Sequence, residues 1–246
     1  MFVADTDTID ESTSAYTQTS FAFKTLGAKG KITRKAQAIG RTYAQILADE
    51  IEAKAMDYRD YEDWAIAWGD ATTPAQFSGL NKLCDSGQRL ATTTSAVGDA
   101  LTLADLDAGI DLITSSPPDM MICSRRTRRK INSLLQAQQR FVDSIEVKGG
   151  FKIMSYNEIP IYVSTNITDT CTFSGSAITS STGASTSVIF ILSTQDVFMG
   201  VLTEVTVQPL AKSSSQFDEF DIYADEALVV KNYKGLSQII GFDPRM

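Results

Sequence analysis

Within residues 41–68, Tyr43, Leu47, Ile51, Ala55, Tyr58, Tyr61, Ala65 and Trp68 recur at steps of three and four. That spacing places them on one apolar stripe of an α-helix of about seven turns. Asp49, Glu50, Glu52, Lys54, Asp57, Arg59, Asp60, Glu62 and Asp63 fill the rest of its surface, and Gly69 with Asp70 ends it. A helix over about 41–68 is roughly 42 Å long at 1.5 Å per residue. In a chain of 246 residues it has to be a spine crossing the molecule, with other elements packed along it. Trp64 and Trp68 stand one turn apart and are expected in the core against a neighbouring element.

The elements around this spine are mixed. Residues 1–23 are Ser/Thr-rich and lysine-free, with Tyr16, Phe21 and Phe23 in partial alternation, which suits an extended limb. Residues 72–87 read as a loop anchored by Phe77 and Leu80. Thr102 and Asp105 form a capping box for a second helix bearing Leu103, Leu106, Ile110 and Ile113, and Pro117 and Pro118 stop it. Met120, Met121 and Ile122 form a short buried strand, after which Ser124 caps a third helix to about Gln138. Residues 151–155 and 159–164 alternate around Asn157 and Glu158, a hairpin pattern. In residues 164–187, 14 of 24 are Ser or Thr, so this stretch is expected as a surface loop or a weakly packed hairpin. Strands are expected at 188–192 and 197–207. Residues 219–223 and 227–232 read as two further strands or a strand and a short helix, and 237–241 as a last strand. The class is α+β.

Composition narrows the function. The chain has no histidine, which removes Ser-His-Asp and Cys-His catalysis and His-dependent metal sites. Cys84, Cys123 and Cys171 are scattered, with no C-x-x-C pair, and are expected as small core residues. No G-x-S-x-G or S-x-x-K spacing presents a nucleophile, and no glycine-rich loop follows the 120–122 strand to cradle phosphate. An enzyme is therefore not expected, and neither a catalytic residue, a cofactor nor a metal is assigned. Asp5, Asp7, Asp10 and Glu11 follow the first residues directly, and no stretch of about 18 apolar residues is present, so the expectation is a soluble, cytoplasmic product without a membrane span.

The sharpest local signal is Arg125, Arg126, Thr127, Arg128, Arg129 and Lys130, five cations in six residues at the start of the third helix. Cations there oppose the helix macrodipole by a few tenths of a kcal/mol each, so a partner is expected: an acidic surface of another subunit ahead of nucleic acid, because the chain carries 30 acidic against 22 basic residues. Asp105, Asp107 and Asp111, and likewise Asp57, Asp60 and Asp63, read as solvated helix faces. The acidic run Asp218, Glu219, Asp221, Asp225 and Glu226 reads as a surface for basic residues of a neighbour.

The order of elements carries a resemblance. The limb "ADTDTIDESTSAYTQTSFAFKTLGAKGKITRKAQAI" leads to the spine helix. Then come "TPAQFSGLNKL", "LTLADLDAGIDLI", "SPPDMMICSRRTRRKINSLLQ", "GGFKIMSYNEIPIYVSTNI" and "DIYADEALVVKNYKG". This series resembles the major capsid proteins of tailed bacteriophages with the HK97-type fold. Its most specific pieces are 69–80 after the spine, the strand–helix step at Pro118 and Asp119, and the segment Glu158, Ile159, Pro160, Ile161, Tyr162, Val163.

The resemblance implies that 1–28 belong to an extended E-loop, 29–98 and 219–246 to a peripheral P-domain, and 99–218 to an axial A-domain. It implies a structural subunit of a phage or prophage capsid that self-assembles into pentamers and hexamers around double-stranded DNA, in the virion and assembled in the host cytoplasm. Against the family pattern, the N-terminal arm and first E-loop strand are missing, so an apparently shortened chain is expected. No lysine precedes Lys24, so the E-loop cross-link of some relatives is not carried over. Two other readings stand beside it: an encapsulin-type nanocompartment shell with the same fold, and a nucleic-acid-binding module using the 125–130 basic helix.

Overall fold

The computed structural model describes residues 18–40, 46–73, 75–93, 95, 97–138, 144–147, 151–175, 177–211 and 216–246. Most of the expected limb (1–17) and the expected start of the spine helix (41–45) lie outside the described residues. In chain order the elements are β1 (Lys24–Thr33), α1 (Arg34–Gly40), α2 (Ile46–Trp68), α3 (Leu80–Leu83), β2 (Arg89–Ala91), β3 (Asp99–Ala100), α4 (Leu103–Asp111), β4 (Met120–Cys123), α5 (Arg125–Ala137), β5 (Ser144–Val147), β6 (Phe151–Tyr156), β7 (Ile159–Val163), β8 (Cys171–Phe173), β9 (Ile178–Thr182), β10 (Ser187–Leu192), β11 (Val197–Pro209), β12 (Phe217–Val230) and β13 (Leu236–Asp243). Mixed helix and strand make this an α+β fold, as expected.

Every residue of β10 is buried. A strand reading Ser-Val-Ile-Phe-Ile-Leu has no polar face to offer water, so it is stable only with both faces covered. It lies inside an eight-stranded mixed sheet ordered β2, β13, β10, β4, β7, β6, β5, with β3 also beside β13. Val188, Phe190 and Leu192 point to one core, with Trp68, Phe77, Leu80, Cys171 and Phe173. Ile189 and Ile191 point to the other, with Leu106 of α4 and Ile131 and Leu135 of α5. Full burial of each such side chain contributes about 1.5–3 kcal/mol.

The local signals of this half are realised closely. Thr102 Oγ1 accepts from the Asp105 amide at 3.2 Å, and Asp105 Oδ2 accepts from the Thr102 amide at 2.9 Å. Ser124 Oγ accepts from the Thr127 amide at 3.1 Å. The β6–β7 hairpin turns at Asn157 and Glu158 with φ of 47° and 65°, the positive values a two-residue type I′ turn demands.

Of the two readings of 164–187, a surface loop or a weakly packed hairpin, the hairpin is realised, with tighter packing than expected. The stretch contains the β8–β9 hairpin, and Cys171, Phe173 and Ile178 are buried in the core beneath it. The few apolar residues among the hydroxyls fall on one side, so the hairpin is a packed lid and not a loose loop.

The second sheet has three strands, ordered β1, β12, β11, all antiparallel. β12 is one continuous 14-residue strand where sequence left two pieces. Its Phe220, Ile222 and Ala224 join Leu26 and Ile32 of β1 and Tyr58 of α2 in a small core. Gly30 is required here: a Cβ at that position would lie 2.1 Å from the Phe220 ring. The helix end is clamped likewise, since the Gly79 amide donates to the Gly69 carbonyl at 2.8 Å and a Cβ on Gly79 would meet the Gly69 nitrogen at 2.7 Å.

Candidate functional site

Two helices and one strand present surfaces that the other described residues leave uncovered. On α5, Thr127, Ile131 and Leu135 are buried and fix the roll of the helix. Arg125, Arg126, Arg128 and Arg129 are therefore exposed, and Lys130 is half-buried. Arg126 Nε lies 3.4 Å from Asp169 Oδ2, whose other oxygen accepts from Ser124 Oγ at 2.5 Å. All five expected contact residues thus share one short helical segment, at its N-terminal end, with no acidic residue in the first turn.

On α2, the residues opposite buried Tyr58 and Ala65 are Asp49, Glu52, Met56 and Asp60, all exposed. Steps of three and four align them as one ridge. The inner end of the helix behaves as expected for the tryptophans: Trp68 packs edge-on to Phe190 at 6.3 Å, and its Nε1 donates to the Asn166 carbonyl at 3.0 Å. Trp64 instead stacks on Tyr61 at 5.5 Å. Asp63 accepts from Ser164 Oγ and Asn166 Nδ2 at 2.6 and 2.8 Å, so it fastens a loop and is not part of a bare acidic face.

β11 is an edge strand of the three-stranded sheet. Along it Phe198, Val201, Leu202, Val205 and Val207 are exposed, Leu202 to 68 %. The strand bulges at two places, between Val201 and Thr203 and between Thr203 and Thr206. Glu204 is its one charged residue. An apolar edge of this length is what isolated proteins ordinarily guard with charge or proline. Sequence reasoning missed it: Leu-Thr-Glu-Val-Thr-Val reads as an ordinary half-buried strand, and nothing local says that no second strand pairs with it among the described residues.

The acidic run on β12 has a different role from the one expected. Glu219 is buried and paired with Lys29 and Lys31 of β1 at 2.9 and 3.5 Å. Asp225 accepts from Thr25 Oγ1 at 2.6 Å, and hydrogen bonds hold its carboxyl below the usual carboxylate range. Glu226 accepts from Tyr58 Oη at 3.1 Å, while its Oε2 is buried with no partner among the described residues. Burial, followed by the Glu226 charge, pushes the neighbouring Glu62 carboxyl up. The run therefore zips β1 and α2 to β12 inside the chain, because the antiparallel register sets β1 lysines on the same face as β12 carboxylates.

The cysteines are core residues. Burial pushes the Cys84 thiol up to about 11 and that of Cys123 up to about 12, and raises Cys171 as well, so none is poised as a thiolate nucleophile. Among the described residues no group of three or more Asp, Glu or Cys gathers in metal-binding geometry, and no helix is long and apolar enough to cross a membrane. What the geometry offers is contact surface: a basic segment, an acidic ridge and an apolar edge.

Residues 5–243 match the family model of the SU10 major capsid protein. Among solved structures, the holo-SrpI encapsulin complex from Synechococcus elongatus PCC 7942 is similar with a TM-score of 0.71 and 10% identity, over 91% of this chain and 75% of that one. The capsid of a native GTA particle with C5 symmetry gives 0.65 and 12%, over 98% and 80%. A structure from Mycobacterium phage Ogopogo gives 0.62 and 13%, over 98% and 82%. These likenesses are of fold. A search of curated proteins finds no match.

Proposed function

Because the chain belongs to the family of the SU10 major capsid protein and is thus a structural subunit of an icosahedral capsid, we propose that it assembles as pentamers and hexamers into a closed shell around double-stranded DNA. Self-assembly and a place in the virion capsid come with the family; the capsomer types, the DNA and assembly in the host cytoplasm are the further reading. The observation that carries it is the apolar edge of β11, unpaired among the described residues, which isolated chains avoid and which an assembling subunit buries.

The charge balance supports a container. With 30 acidic against 22 basic residues, a wall of such chains repels the phosphates it encloses and leaves the DNA unbound and able to leave. The role is purely structural and not enzymatic: the chain has no histidine, and its thiols are buried and protonated. Residues 1–28 serve as part of an E-loop, 29–98 with 219–246 as the peripheral domain, and 99–218 as the axial domain. β13 then makes the two continuous, since it pairs with β2 of the first and β10 of the second.

A second reading is favoured by the encapsulin likeness at a TM-score of 0.71: a shell that encloses protein cargo. Electron microscopy of particles made by the full chain in cells, with their contents extracted after nuclease treatment of the exterior, separates the two. Closed shells with five- and six-fold clusters and protected duplex DNA are expected. Shells holding one protein species and no DNA establish the second reading, and a protein that stays monomeric at high concentration overturns both.

A further inference from the structure

α5 exposes cations and no acid, and the outer ridge of α2 exposes mainly acids. At 100° per residue, the side of α5 opposite Thr127 and Ile131 carries Arg125, Arg126 and Arg129, with Arg128 and Lys130 on the flanks. These cations sit at the positive end of the helix dipole, an arrangement unfavourable for an isolated chain. One acidic group answers them at 3.4 Å, Asp169 beside Arg126, and it is itself tied to Ser124. The outer ridge of α2 carries Asp49, Glu52 and Asp60 around Met56. Of the two cations on this helix, Lys54 is turned away to Asp57 at 2.8 Å, and Arg59 is exposed on the flank of the ridge. Among the described residues no ion pair joins α5 to α2.

We infer that the arginine face of α5 docks on the Asp49, Glu52 and Asp60 ridge of α2 in a second copy of this chain, an inference that rests on the reading above that copies assemble. Charge complementarity selects this occupant. The two ridges are of opposite sign, and any homo-oligomer supplies them in equal number. Nucleic acid fits less well, because the five cations stand alone on a surface where the remaining 17 basic residues face 30 acidic ones. Met56, exposed between the acids, gives the arginine stems an apolar seat.

Sedimentation velocity of the nuclease-treated full chain, from roughly 50 to 500 mM salt, tests this with two reversed variants. One carries Arg125→Glu, Arg126→Glu and Arg129→Glu; the other carries Asp49→Lys, Glu52→Lys and Asp60→Lys. Wild-type self-association should weaken as salt rises. Each variant alone should associate at least about tenfold more weakly at low salt, and mixing the two in equal amounts should restore association. The neutral set Arg125→Gln, Arg126→Gln and Arg129→Gln should fall between, which keeps the test valid if a reversed chain misfolds. The inference is overturned by arginine-reversed protein that associates like wild type, by a mixture that stays dissociated, or by a variant that loses only retention of a duplex DNA probe. Salt-sensitive wild-type oligomers that never close would instead sink the shell reading and leave this contact standing. Closed shells indifferent to salt and to the reversal would do the opposite.

Discussion

The two sheets of this molecule are held together by different physics. The eight-stranded sheet is dry on both faces: β10 alternates Val188, Phe190 and Leu192 into one core and Ile189 and Ile191 into the other. Among the described residues the three-stranded sheet has a helix on one face only. Its other face carries Lys29, Lys31, Glu219 and Asp225, and no described strand pairs with its β11 edge. The first is complete within one chain. The second is half of something, with polar zippers setting its register and apolar surface left over for a neighbour. A shell subunit needs both, a rigid body and an unfinished rim.

Damage to the dry sheet should cost most. Phe190→Ala removes a fully buried ring that packs on Trp68 and should destabilise the monomer by about 3–5 kcal/mol in denaturant titrations. A loss below about 1 kcal/mol would show that this core is not the stabilising half.

The polar zipper should cost less. Tyr58→Phe strips Glu226 of its buried donor, with an expected loss of about 1–3 kcal/mol. Thr102→Ala opens the α4 capping box and should cost about 1 kcal/mol. If Thr102→Ala proved costlier than Tyr58→Phe, the contrast between local caps and long-range zippers would need redrawing.

Glu62→Gln should act in the opposite direction. Its carboxyl is raised in the folded chain, by burial first and the Glu226 charge second. The folded state therefore holds the Glu62 proton more tightly than the unfolded one, and stability falls as pH rises from the ordinary glutamate range through the raised value. The variant should melt higher than wild type near pH ~7 and lose that advantage near pH ~4, followed by circular dichroism. An advantage constant across that range would mean that charge is not the cause. The smallest effect belongs to the rim: Leu202→Lys should change monomer stability by no more than about 0.5 kcal/mol while reducing particle yield.

Legibility from sequence followed the same division. The body was readable because its signals are local: Thr102 and Asp105, Ser124 before Thr127, the turn at Asn157 and Glu158, and the helix stop at Gly69. The spine stripe is realised only in part: Tyr58, Ala65 and Trp68 are buried, whereas Leu47, Ala55 and Tyr61 are exposed. The acidic run on β12 was misjudged because its partners, Lys29 and Lys31, lie about 190 residues away along the chain and meet it only through strand register. The basic segment of α5 was found by composition, and its exposure follows from the roll that Ile131 and Leu135 impose. The β11 edge was invisible, since an exposed valine and a buried one are spelled alike.

Hydrogen exchange compared between monomer and assembled particles tests the division into body and rim most directly. Amides of β10, β4 and β13 should be equally protected in both states, whereas β11 from Val201 to Val207 and the outer ridge of α2 should gain protection only in particles. Protection of β11 that is the same in monomer and particle would contradict the account.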